Sequence, residues 1–225
     1  MMTNEPAGAE RSSGWAAFAY VVVVLIAGLL PGRPPAVNSS AAGIAQWVGL
    51  HQQPLLWAGW LAFPGLAFFL WYIVGFRAYL REAPGQDEGL GTYLLAAGSL
   101  AAAFALLNAF FQIVLGYRGS ELGPNEVRVL YDAFGLSGTL LAAPLAIFVF
   151  AASHSARRHG SFSRAFAGYG YLTAFLLGVS TLSIFVKDGP LRPNASLALI
   201  ALALYGIWTI WTGSVLVRRR TNTKV

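Results

Sequence analysis

Asp132 heads a stretch, EVRVLYDAFGLSGTLLAAPLAIF (126–148), that is otherwise apolar enough to enter a bilayer. Close behind it stands Ser137 in "GLSG", a glycine-flanked serine of the kind that serves as a nucleophile in intramembrane proteolysis. That chemistry needs a histidine base within hydrogen-bond reach of the serine. The chain has three histidines. His51 precedes the second apolar run, and His154 and His159 read as part of a loop after the fourth. His154 follows Ser137 by seventeen residues, just past the end of the same run, about 25 Å away were the helix to continue that far. No dyad forms over that distance. Gly135, Ser137 and Gly138 are better read as small residues that let helices approach closely.

Metal chemistry is also poorly supplied. "HSARRHG" places two histidines among arginines, which repel cations, and no carboxylate stands nearby in sequence. The chain has no cysteine, which excludes disulfides, thiolate chemistry and Cys-ligated metals. No cofactor motif is present, and the expected cofactor set is empty.

The polar residues inside the apolar runs say more. Asn108 and Gln112 lie one turn apart on one face of the third run. Asp132 falls about five positions into the fourth, roughly 7.5 Å from its start. Thr139 shares the face of Asp132 at i+7, whereas Ser137 at i+5 points about 140° away. Ser180, Thr181 and Ser183 close the fifth run, and His51, Gln52 and Gln53 open the second. All of these gather in one half of the membrane. A pocket open on that side is expected to be lined by Asp132, Asn108, Gln112, Thr139, His51 and the interfacial Tyr131. The competing expectation is that these groups only hydrogen-bond helix to helix.

Six helices must position them. Crossing about 30 Å of hydrocarbon takes about twenty apolar residues. Runs of that length occupy 15–30, 54–76, 89–116, 127–153, 164–186 and 194–217. The first could be a signal peptide, but Glu5 and Glu10 offset Arg11, and a retained helix is the better reading. The fold class is therefore an all-α membrane protein of six transmembrane helices. Residues 1–14 are expected as an N-terminal tail, 15–217 as the membrane domain and 218–225 as a basic tail.

Between the first two spans, "PGRPP" is not helical throughout, for want of amide donors. Asn38 or Ser39 then caps a short helix running to about His51. Ile44, Trp47, Val48 and His51 recur at spacings of three and four, giving one amphipathic face. It is expected to lie against the bundle or the headgroups. Pro64 and Pro144 each free a carbonyl near mid-span.

Loop charges orient the spans. The side holding both termini carries Arg11, Arg77, Arg81, Arg157, Arg158, Arg164, Arg218, Arg219, Arg220 and Lys224. The other side carries only Arg33, Arg118, Arg128, Lys187 and Arg192. The excess puts both termini in the cytoplasm of a multi-pass plasma-membrane protein. Composition agrees: 56% of residues are hydrophobic and only 11% charged, against about 25% charged in soluble domains. The net charge of +6 sits in loops and the tail, and no basic stripe marks a nucleic-acid surface.

Three stretches carry a resemblance: "NSSAAGIAQWVGLHQQPLLWAGWL", "VRVLYDAFGLSGTLLAAPLAIFVFAAS" and "LYGIWTIWTGSVLVRRR". In order, they resemble a family of uncharacterised six-helix integral membrane proteins abundant in actinobacteria. There, a short outer helix ends near a histidine, "LYD" opens the fourth span and a proline follows within it. His51, Tyr131, Asp132 and Pro144 are the matching positions. The resemblance implies fold and a bacterial membrane, with no activity to carry over.

The expected function is non-enzymatic binding of a membrane lipid, a hydrophobic small molecule or a partner membrane protein. An enzyme using Asp132 as an acid on an isoprenoid or lipid is the alternative. It suffers from having no second acid within the apolar runs. A transporter's accessory subunit is a further alternative.

Overall fold

The structure is a computed structural model. It describes residues 6–81, 88–158, 162–186, 189 and 196–218. The C-terminal tail from 219 onward, His159, Lys187 and Arg192 lie outside the described residues.

All described elements are helical: α1 (Pro6–Leu29), α2 (Ala41–Leu50), α3 (Gln52–Arg81), α4 (Glu88–Arg118), α5 (Pro124–Arg158), α6 (Arg164–Ser180) with a 3₁₀ turn at Thr181–Phe185, and α7 (Ser196–Arg218). Six of them are long and apolar enough to cross a membrane: Arg11–Leu29, Gln52–Arg81, Gly89–Arg118, Pro124–Arg158, Arg164–Phe185 and Ser196–Arg218. The chain forms a six-helix bundle with the short α2 between the first two spans.

Each span packs on its neighbours in chain order, and α7 closes back on α1, giving a ring. Small residues set the close approaches. A Cβ on Gly14 of α1 would lie 2.8 Å from the Gly213 carbonyl oxygen of α7. A Cβ on Gly75 of α3 would overlap Ser13 of α1. With lipid outside as apolar as leucine, such fit is what brings membrane helices together. The same contacts hold the chain helical ahead of residue 15, and α1 begins at Pro6. Ser13 and Gly14, assigned by sequence to a tail, are buried helix contacts.

Aromatic rings fill the half of the ring nearer the termini. Trp208 of α7 is the hub, within 6.0 Å of Phe76 on α3, Phe148 on α5 and Phe166 on α6. Tyr72, Phe76, Phe148, Phe166 and Trp208 are fully buried. Trp208 is therefore the centre of this core. Trp57, Trp60 and Trp71 face outward, as interfacial anchors do.

Three sequence-based boundaries shift. The cap of α2 is Ser40, whose Oγ accepts from the Gly43 amide at 3.1 Å. Asn38 and Ser39 stand too early to cap it, because the Ser40 carbonyl takes the first helical bond, from the Ile44 amide at 3.0 Å. The helix of Asp132 begins at Pro124 rather than 127. Pro124 takes the first helical position, and Glu126 reaches back to the Gly123 amide at 2.9 Å, half of a capping box. The same helix continues to Arg158, so His154 is helical rather than in a loop. Its ring stacks on Phe150, and the Tyr171 hydroxyl lies 3.3 Å from Nδ1. Both α3 and α5 run unbroken through Pro64 and Pro144.

Candidate functional site

The polar residues gather at the end of the bundle that carries α2. This helix lies across α5 and touches α4. Ile44 and Val48 are buried against Leu55, Leu115, Val127 and Tyr131, a second apolar core separate from the aromatic one. Trp47 packs edge-on to Tyr131, with ring centroids 6.2 Å apart. The amphipathic face read from Ile44, Trp47, Val48 and His51 thus points into the bundle.

The segment between α1 and α2 is fixed to α5. The Tyr131 hydroxyl donates to the Pro35 carbonyl at 2.6 Å, and Arg128 donates to the Ser39 carbonyl at 3.3 Å. Because α1 packs on α3 and α7 rather than on α5, residues 30–40 form a strap from one part of the ring to another.

His51 makes the corner from α2 into α3. Its backbone amide caps α2 at the Trp47 and Val48 carbonyls. Its ring stacks on Trp47 at 4.8 Å, and Nδ1 lies 2.7 Å from the Trp47 carbonyl. A carbonyl only accepts, so Nδ1 carries the proton.

Asn108 and Thr139 lie on different flanks of α5. Asn108 on α4 donates to the Phe134 carbonyl at 2.7 Å and to Ser137 Oγ at 3.1 Å. Ser137 donates to the same Phe134 carbonyl at 2.9 Å. This serine is therefore an α4–α5 packing residue. Thr139 donates to the Gly135 carbonyl at 3.1 Å and accepts from Ser183 Oγ at 3.3 Å, toward the 3₁₀ turn after α6. The divergence of Ser137 and Thr139 follows from their helical phase. Gln112 is half-buried, one turn nearer than Asn108 to the α2 end.

Asp132 differs from all of these. Counted from Pro124 it lies roughly 12 Å along α5, deeper than the sequence boundary implied. The residue is half-exposed, but its Oδ1 is fully buried and has no hydrogen-bond partner. Arg128, one turn back on the same helix, forms no ion pair with it. Among the described residues of this end, Arg118 pairs instead with Glu121 in the α4–α5 turn. Gly135, three residues on, is buried, yet beyond its chain neighbours and its own turn of helix no atom lies within 4 Å of where its Cβ would stand. A buried carboxylate oxygen without a donor is costly, and Asp132 stands beside unfilled space.

Sequence reasoning placed these residues at one end and missed two things. The first is Arg128, counted only as a topology charge. Its i, i+4 relation to Asp132 was the available signal. The second is the strap, for which no local pattern pairs Pro35 with Tyr131. Among the described residues, no group of three or more His, Cys, Asp or Glu could hold a metal ion.

These features define a polytopic membrane protein with an amphipathic helix lying across one end of the bundle. No protein-family model matches the chain, and no curated protein or solved structure is significantly similar to it.

Proposed function

We propose that this membrane protein is a non-enzymatic binding protein of the plasma membrane, with both termini cytoplasmic. It holds the polar head of a lipid or hydrophobic small molecule beside Asp132. The observation that carries this reading is the buried, unpartnered Oδ1 of Asp132 next to the open space at Gly135. An acid kept inside a span without a partner marks a functional site more often than a structural one. The remaining hydroxyls nearby, Thr139 and Ser183, already satisfy each other and the helix backbone. In this reading a bound molecule supplies a donor to the Asp132 carboxylate.

The test is recovery of amphiphile per mole of purified protein, for the wild type and for Asp132→Asn. Asn keeps the shape and removes the charge. Loss of bound amphiphile at an unchanged melting temperature is the expected result. Equal recovery from the two proteins would reduce Asp132 to a residue of the helix end and remove the binding site.

A further inference from the structure

We infer that the ligand is a zwitterionic phospholipid whose headgroup ends in a primary amine, its amine on Asp132 and its phosphate on Arg128; this rests on the binding reading above. Arg128, Asp132, Gly135 and Thr139 recur at i, i+4, i+7 and i+11, so they form one stripe along α5. The stripe begins with a cation and an anion one turn, about 5.4 Å, apart. Opposite charges at this spacing on a helix commonly pair. Here they do not. Arg128 spends one N–H on the Ser39 carbonyl at 3.3 Å, and Asp132 Oδ1 meets no donor. Basic before acidic is the weaker order for such a pair, which fits the two groups' standing apart.

A phosphoethanolamine head carries a phosphate and an ammonium separated by two carbons, a reach comparable to that turn. Its ammonium brings N–H donors to the partly exposed Asp132 carboxylate. The guanidinium fork suits phosphate oxygens. An anionic head would place its charge against Asp132 with nothing to offset it. A quaternary choline brings no N–H, and its usual host is an aromatic cage. The aromatics here do not form one. Trp47 is covered on a face by His51 and meets Tyr131 edge-on. Below the charges the notch at Gly135 is open, and Leu136, Leu140, Leu182 and Phe185 leave an exposed apolar flank where acyl chains run.

The experiment uses the delipidated full-length protein in detergent. Phosphatidylethanolamine, phosphatidylcholine and phosphatidylglycerol with identical acyl chains are added singly, and retained lipid is counted by native mass spectrometry. The wild type is expected to retain the ethanolamine lipid at least tenfold better than the other two. Asp132→Asn should bring it down to the choline lipid's level. Arg128→Gln should weaken both zwitterionic lipids while keeping the amine preference. Gly135→Leu, which fills the notch and leaves both charges, should lower retention of the ethanolamine lipid severalfold. Melting temperature and elution profile report folding. Should Asp132→Asn fail to fold, the other two variants decide: wild-type retention of the ethanolamine lipid in both overturns the inference. Equal retention of choline and ethanolamine lipids, both lost in Asp132→Asn, overturns the amine assignment and leaves the binding reading standing. If no added lipid is held in an Asp132-dependent way, and none co-purifies so, both fall.

Discussion

The hydroxyls of Tyr72 and Thr212, 140 residues apart in sequence, hydrogen-bond at 2.6 Å in the buried centre of the ring. Thr212 Oγ1 also lies 2.8 Å from the Thr209 carbonyl, to which it donates. Its single proton is therefore committed, and Tyr72 is the donor between the helices. This bond ties α3 to α7 directly across the bundle. Tyr72→Phe should destabilise the fold by about 0.6 kcal/mol, and by no more than about 1.7, the range for such bonds inside membranes. Tyr72→Phe combined with Thr212→Val should cost less than the sum of the single changes, because no orphaned partner remains. Thermal melts of the four proteins in one detergent give the coupling. Strict additivity would show that the bond contributes nothing.

The α5–α6 contact is set by Gly170. A Cβ there would overlap Ser153 Oγ and stand 3.1 Å from Trp208 Nε1. Both of those polar atoms are buried without a partner, so the gap between them has no slack for a methyl group. Gly170→Ala should therefore destabilise by about 1–3 kcal/mol, the usual cost of overpacking. Adding Ser153→Gly removes the obstructing side chain and should recover part of the loss. A melting temperature unchanged by Gly170→Ala would mean that α6 sits further from α5 than described here.

Much of this bundle was legible in the sequence because hydrocarbon thickness imposes a length that composition reveals. The ends were less legible. The start of α5 is written in "GPNE", a cap, a helix-initiating proline and an acid reaching back, but a hydropathy reading stops at the first apolar residue. The last turns of α5 hold His154, Arg157 and Arg158, which look like a loop by charge. They stay helical because Ser153, Ser155 and Ala156 remain buried against neighbours. The site was half legible. Helical phase separated Ser137 from Thr139 correctly. Which neighbour each would meet depended on ring closure, which rests on contacts such as Gly14 with Gly213 that no local pattern announces.

The strap between α1 and α2 should open when its anchor on α5 is removed. Tyr131→Phe deletes the 2.6 Å bond to the Pro35 carbonyl and leaves the ring packing against Trp47 in place. A net hydrogen bond of about 0.5–1.5 kcal/mol corresponds to roughly two- to tenfold in an opening equilibrium. Amide exchange over Val37–Ser40 should speed up by that factor, while exchange in the buried middle of α3 stays unchanged. A uniform rise across the protein would indicate global destabilisation instead, and no rise would show that α2 packing alone holds the strap.

The membrane orientation is open to a direct check, since the chain has no native cysteine. Single cysteines need exposed positions at opposite ends of the bundle. Ser155 is unsuitable, being buried within α5. Ser120, in the turn before α5, is exposed at the α2 end. Ala165, in the first turn of α6, is exposed at the other end. The twofold excess of Arg and Lys on the side of the termini predicts that the α2 end faces outward from the cell. In intact cells an impermeant maleimide should then label a cysteine at 120 and spare one at 165, and permeabilisation should make both react. That arrangement would let Asp132 and Arg128 meet lipid from the outer leaflet. Labelling at 165 but not at 120 would invert the protein, move the site to the cytoplasmic leaflet and remove the charge rule as a guide to this chain.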